Sequence, residues 1–188
     1  MSAMMPRKAT PADAGRLGAA HAAAWRQTYA GILPEDVLAG FSAGMRAAMW
    51  AEILGNPAAF ADTTAYLVED GASVAGFGAC GGQRDARLQA LGFDAEIGAI
   101  YLLRAYQGRG LGRALMQAMA ADLRARGHGA AALWVLRENA AARAFYRHLG
   151  GEAVAERQDR RGDADLVMVA YGWRDLRPLT GDPPPHDG

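Results

Sequence analysis

The chain has 188 residues, enough for one domain with a proper hydrophobic core and too few to suggest two. Hydrophobic residues make up 51% and charged residues 21%, and 20 Lys and Arg balance 20 Asp and Glu, so no net field draws the chain to nucleic acid or a membrane surface. Lys8 is the only lysine, which excludes a phosphate loop of the G-x-x-x-x-G-K-[ST] type.

A single cysteine, Cys80, forbids an internal disulfide and leaves no Cys-rich metal framework, which fits a reducing compartment and predicts a cytoplasmic protein. The four histidines, at 21, 128, 148 and 186, show no metal-ligand spacing, and no metal is expected. No early basic segment leads into an apolar run, and none approaches the ~20 residues a membrane span needs.

Arg7 to Ala9 can form a short first strand. Thr10-Pro11-Ala12-Asp13 then starts a helix, with Thr10 as N-cap, Pro11 at the first position and Asp13 closing a capping box. Leu17, His21, Ala24 and Thr28 carry it to about Tyr29, before Gly31. Ile32 to Leu38 reads as a turn into a short helix. Ser42 can cap another, with Met45, Met49 and Ile53 as its buried stripe until Gly55-Asn56-Pro57.

From Thr64 the period changes to two, and Thr64–Glu69, a turn at Asp70 to Ser73, and Val74–Cys80 read as a hairpin. A polar loop, Gly81 to Leu91, leads to a strand from Ala95 to Leu103. The next helix has the cleanest periodicity in the chain, Leu111, Leu115, Met119 and Leu123, and Gly127 ends it. Ala130 to Leu136 is a short apolar strand. Asn139 is a good N-cap for a helix that turns Phe145 and Leu149 inward, with Tyr146 beside that stripe, and Gly150-Gly151 stops it. Ala153 to Gln158 and Ala164 to Ala170 read as a closing antiparallel pair. Residues 1 to 177 are expected to form one domain, and the proline-rich 178 to 188 a disordered tail. The order predicts an α/β or α+β domain with a mixed sheet.

The run from Tyr101 to Arg113 joins strand to helix through Gly108, Gly110 and Gly112, flanked by Arg109 and Arg113. Glycines there let the backbone turn sharply, and the helix N-terminus behind them offers free N–H groups and a positive dipole end, a natural seat for phosphate. A dinucleotide fingerprint beginning at Gly108 needs glycine at position 113, which is Arg113.

Gln107-Gly108-Arg109-Gly110-Leu111-Gly112 resembles the Q/R-x-x-G-x-G/A acyl-CoA signature of the GNAT superfamily of N-acyltransferases. Asn139-Ala140-Ala141-Ala142-Arg143-Ala144-Phe145-Tyr146 resembles that superfamily's N-x-x-A-x-x-F-Y segment, although the family's alanine commonly lies one place after Ala142 or at Ala144. With the surrounding strands the resemblance covers roughly residues 6 to 172.

The resemblance implies a GNAT-like single domain with a mixed sheet of about six to seven strands and a splayed cofactor cleft. It implies acetyl-CoA as cosubstrate: the backbone of Ile100, Tyr101, Leu102 and Leu103 against the pantetheine arm, and Gln107, Gly108, Arg109, Gly110, Leu111, Gly112 and Arg113 around the pyrophosphate. Asn139 would contact the arm as well as capping its helix. Tyr146 falls at the family's general acid, Glu96 at a carboxylate that deprotonates the amine, and a strand N–H near Leu102 would donate to the oxyanion. A core tyrosine and an exposed strand-end carboxylate are the plain alternatives.

His21, Trp25, Arg26 and Tyr29 are candidates for the acceptor pocket or for core packing. Members that acetylate ribosomal-type protein N-termini commonly carry L-E-V-R before the asparagine. Here the strand reads Leu133-Trp134-Val135-Leu136, which favours a small-molecule amine. The expected enzyme is an N-acetyltransferase working by direct attack in a ternary complex, as monomer or homodimer, without nucleic acid or membrane partners. An acyl-CoA-binding sensor module and a protein N-terminal or lysine acetyltransferase are the alternatives.

Overall fold

The computed structural model describes residues 4–161 and 164–181. Seven strands form one sheet: β1 (Arg7–Lys8), β2 (Thr64–Asp70), β3 (Ser73–Gly82), β4 (Ala95–Leu102), β5 (Ala131–Leu136), β6 (Glu152–Arg161) and β7 (Ala164–Trp173). Their order is β1-β2-β3-β4-β5-β7-β6, and every pairing is antiparallel except β4 with β5. The helices are α1 (Ala14–Tyr29), α2 (Glu35–Ala39), α3 (Ala43–Gly55), α4 (Ala86–Ala90), α5 (Leu111–Ala125), α6 (Ala140–His148) and α7 (Arg177–Thr180).

Both faces of the sheet are covered, as the apolar strands require. On one face α5 buries Leu115, Met119 and Leu123 against Ala95, Ile97, Ala131 and Leu133. On the other, Leu17 of α1 and Trp50 of α3 pack on Ala65, Leu67 and Phe77. The N-terminal start of α1 is fixed by Thr10, whose backbone N–H donates to Asp13 Oδ2 at 2.8 Å, and by Arg7, whose Nη2 lies 2.8 Å from Asp13 Oδ1. Pro11–Asp13 form a 3-10 turn, so the α-helix proper begins one turn later than the capping box alone indicates.

Four local expectations change. Met45 is 58% exposed, and Trp50 is the buried side chain of α3 instead, because its ring packs edge-to-face on Phe77 of β3 and donates to His21 of α1. The segment 81–91 is not all loop: β3 runs on to Gly82, and Asp85 Oδ1 accepts from the N–H groups of Arg87 and Leu88 to start α4. On α6 Tyr146 is the buried residue, while Phe145 and Leu149 are only partly covered. Ordered chain extends past 177: Arg177–Thr180 are helical and Leu179 is 5% exposed, because it fills a gap against α5. The rest of the expected tail, 182–188, lies outside the described residues.

Candidate active site

The site begins where the sheet divides. β4 and β5 are paired only at Ala95–Ala131 and Glu96–Ala132; beyond that β4 continues along β3 to Gly76–Leu102, and β5 along β7 to Leu136–Met168. A bulge drives the separation. Ala79 faces Ala99 but Cys80 faces Ile97, so Gly98 is an extra residue in β4 and the strand bends there. The Leu103 N–H donates to Ala75 O on β3 at 3.0 Å. Backbone alternation therefore turns the N–H groups of Leu102 and Ile100 away from β3, into the gap. A cleft of about 560 Å³ opens along this free edge.

At one end of the cleft α5 starts. Gly108 and Gly110 have φ of +72° and +78°, a left-handed conformation that side chains resist. The first bond into the helix runs from the Ala114 N–H to Gly110 O at 3.1 Å, so the N–H groups of Leu111, Gly112 and Arg113 find no backbone acceptor among the described residues. Three unpaired donors at the positive end of a 15-residue helix suit a pyrophosphate. Gly112 serves a separate purpose: a Cβ there would stand 3.1 Å from the Phe145 ring, so its absence lets α6 close against α5.

Of the residues expected around a cofactor, Ile100, Tyr101, Leu102, Gln107, the three glycines, Arg113 and Asn139 line this cleft. Gln107 Nε2 donates to Leu102 O at 3.2 Å, and Asn139 caps α6 by accepting from the Ala142 N–H at 3.2 Å. Leu103, Arg109 and Leu111 lie outside its wall. The Leu103 N–H is committed to β3, the Arg109 guanidinium sits 5.3 Å from the centre of the Tyr106 ring, and Leu111 is buried beneath α5.

Tyr146 also lines the cleft, with its ring packed near Tyr171 and Trp173. Burial pushes its phenol well above the ordinary tyrosine value, so the hydroxyl keeps its proton.

A second cavity, of about 680 Å³, lies on the α1 and α3 face of the same split. Ile97, Gly98, Ala99, Tyr101, Leu133 and Trp134 belong to the walls of both, and Tyr29 joins them. Glu96 opens into this second cavity. Its Oε1 accepts from Arg84 Nε at 2.8 Å and from Nη2, whereas Oε2 meets only the Arg84 backbone N–H at 3.2 Å. Glu96 Oε2 therefore keeps accepting capacity.

Three of the four N-terminal candidates, His21, Trp25 and Tyr29, line this cavity, and Arg26 is exposed elsewhere. His21 Nδ1 accepts from Trp50 Nε1 at 3.2 Å, and burial, reinforced by the nearby Arg46 charge, depresses its pKa to about 4. The imidazole is thus neutral, with its proton on Nε2. Tyr29 and Tyr101 approach hydroxyl to hydroxyl at 3.3 Å, and burial raises both phenols.

Sequence reasoning missed Arg46, Arg84, Asp85 and Arg157 in this wall, which come from three segments far apart in the chain: α3, the turn before α4, and β6. Cys80 is buried and its thiol is pushed up to about 12 by desolvation, which leaves it inert. Among the described residues no cluster of three or more His, Cys, Asp or Glu could hold a metal ion. No described helix is long and apolar enough to cross a membrane.

A sheet split between parallel strands, a helix N-terminus bare of partners at one end of the split and a second cavity behind it define an acyltransferase. The chain belongs to the acetyltransferase (GNAT) family, whose model matches residues 23–150 and whose cosubstrate is acetyl-CoA. It is 31% identical over 174 residues to the uncharacterized N-acetyltransferase YuaI of Bacillus subtilis, covering 92% of this chain and 94% of that one. A 65-residue stretch is 51% identical to a mycothiol acetyltransferase of Beutenbergia cavernae, over 33% of this chain and 22% of that protein. The fold matches PaiA N-acetyltransferase of Thermoplasma acidophilum in complex with coenzyme A, with a TM-score of 0.70 at 21% identity over 90% of this chain and 98% of that one. It also matches yncA of Salmonella typhimurium with its cofactor acetyl-CoA, with a TM-score of 0.67 at 20% identity over 93% and 95%.

Proposed function

We propose that the protein transfers the acetyl group of acetyl-CoA to the primary amine of a small molecule, by direct attack in a ternary complex. One observation carries this reading: the donor cleft and the acceptor cavity share a wall at the β4–β5 split, so an amine entering from one face can reach a thioester laid along the other. The acceptor side is a cavity of about 680 Å³ framed by aromatic rings, a shape suited to a small molecule.

The bare N–H groups of Leu111, Gly112 and Arg113 would hold the pyrophosphate, and the free edge at Ile100 and Leu102 the pantetheine arm, in the manner of strand addition. The bound thioester supplies the acyl carbon. Glu96, fixed by Arg84 at Oε1, takes a proton from the amine at Oε2, directly or through water, and the freed lone pair attacks the carbonyl. A β4 N–H near Leu102 stabilises the oxyanion. As the carbon–sulfur bond breaks, Tyr146 gives its phenolic proton to the leaving thiolate, so that amide and thiol are the products. The nitrogen gives up its second proton as the amide forms, which restores Tyr146 through water, and Glu96 releases the one it took to solvent. The single buried thiol supports a reducing, cytoplasmic setting.

The test is thiol release from acetyl-CoA against a panel of amines, with the product identified by mass. Binding of acetyl-CoA without transfer to any amine would replace this reading with a cofactor-binding sensor.

A further inference from the structure

The acceptor cavity carries a charge that no described residue balances. Of its four arginines, Arg84 is paired with Glu96, Arg157 with Asp85 at 2.9 Å, and Arg161 with Asp159 at 3.3 Å. Arg46 on α3 has no carboxylate partner among the described residues. Among the described residues its Nη1 reaches only the Met49 thioether sulfur, at 3.4 Å, and its buried Nε finds no acceptor. The guanidinium lies 4.0 Å from the centre of the Phe41 ring, which in turn stacks on Trp25 with centroids 4.2 Å apart and planes within 3°.

Leaving a buried guanidinium N–H unmatched is costly, and a thioether is a weak acceptor. The nearby imidazole of His21, neutral or cationic, cannot serve as counter-ion in either state. What matches a single guanidinium fork in the wall of a small-molecule cavity is a planar, two-oxygen anion. We infer that the acceptor is an amine that also bears a carboxylate, an amino-acid-type molecule whose carboxylate pairs with Arg46 and whose apolar part lies along Trp25 and Phe41. The inference rests on the acetyltransferase reading only for the amine end; the carboxylate end follows from Arg46. By the same charge argument, polycationic amines are poor acceptors.

The test compares matched pairs with and without the carboxylate: L-phenylalanine against 2-phenylethylamine, and L-leucine against 3-methylbutylamine, with O-phosphoethanolamine against ethanolamine as a phosphate arm. Wild-type protein should favour the carboxylated member by at least about tenfold in kcat/KM. Arg46→Met should bring the pair to within about twofold, and Arg46→Lys, which keeps the charge but loses the fork, should fall between. Unaltered acetyl-CoA binding by both variants establishes that they fold.

Calorimetric titration of the amino acids into the protein saturated with CoA reads the carboxylate site without turnover. Arg46-dependent binding with no acetyl transfer would support the carboxylate site while removing the proposed activity. Turnover of amines regardless of their carboxylate, a preference unchanged by Arg46→Met, or a preference for the phosphate arm would overturn the inference and leave the acetyltransferase standing.

Discussion

Glu96 and Tyr101 open into the same cavity although they stand five positions apart on one strand. Strict alternation would put them on opposite faces of β4. The extra residue Gly98 inverts the parity: Ile97, Ile100 and Leu102 face α5, whereas Ala99 and Tyr101 face α1 and α3 with Glu96. One bulge thus bends the strand away from β5 and also delivers the candidate base to the acceptor side. Glu96→Gln, which keeps the shape of the side chain and loses its proton affinity, should lower kcat by about 100-fold. Acetyl-CoA affinity should remain within about twofold, and a variant with wild-type turnover would remove Glu96 from the mechanism.

Tyr146 is enclosed by Tyr171 and Trp173 yet lines the donor cleft. Tyr146→Phe keeps the ring and loses the proton, so kcat should fall about 100-fold with little change in acetyl-CoA binding. Because burial raises this phenol, its titration should not limit activity below the ordinary tyrosine value of about 10. A Tyr146-dependent alkaline limb centred below pH 9 would contradict the assignment.

The turn into α5 offers two separable tests. Gly110→Asp places a side chain at φ +78° and a negative charge at the helix N-terminus where a pyrophosphate would sit. It should abolish acetyl-CoA binding in calorimetry. Gly112→Ala instead brings a methyl within 3.1 Å of Phe145, and should lower thermal stability as well as cofactor affinity. Normal cofactor binding by Gly110→Asp would refute the placement of the phosphates.

His21 sets the acid sensitivity of the fold. In the folded chain it protonates only near pH 4, while in the unfolded chain it does so near 6.5, so below pH 6.5 the unfolded state binds more protons. Stability is therefore lost as pH falls from 6.5 towards 4, by up to about 3 kcal/mol. Asp13 and Glu69, held low by Arg7, contribute their own loss only at lower pH. Urea midpoints between pH 7.5 and 4.5 should fall for wild-type protein and less steeply for His21→Gln. Equal slopes would locate the sensitivity elsewhere.

Direct attack needs no covalent acetyl-enzyme. Cys80→Ala should retain turnover, and native protein should resist iodoacetamide at pH 7.5, since the thiol is buried and pushed up to about 12. Initial rates against both substrates should give intersecting lines, whereas parallel lines would indicate a covalent intermediate.

The sequence by itself located the glycine turn and the helix behind it, because the spacing of Leu111, Leu115, Met119 and Leu123 is a local property of the chain. Strand order, the gap between β4 and β5, and the acceptor cavity came only from tertiary structure. A bulge at Gly98 is defined by its partner strand, which periodicity within β4 cannot report. The pairing of Arg84 with Glu96 joins the segment after β3 to β4, residues 12 apart, and the solitary charge of Arg46 becomes visible only once the carboxylates of the described residues have been placed. Tyr146 shows the same division: its position in the motif was legible, but its burial among Tyr171 and Trp173 depends on α6 docking near β7, which brings together side chains 25 and 27 positions apart in the chain.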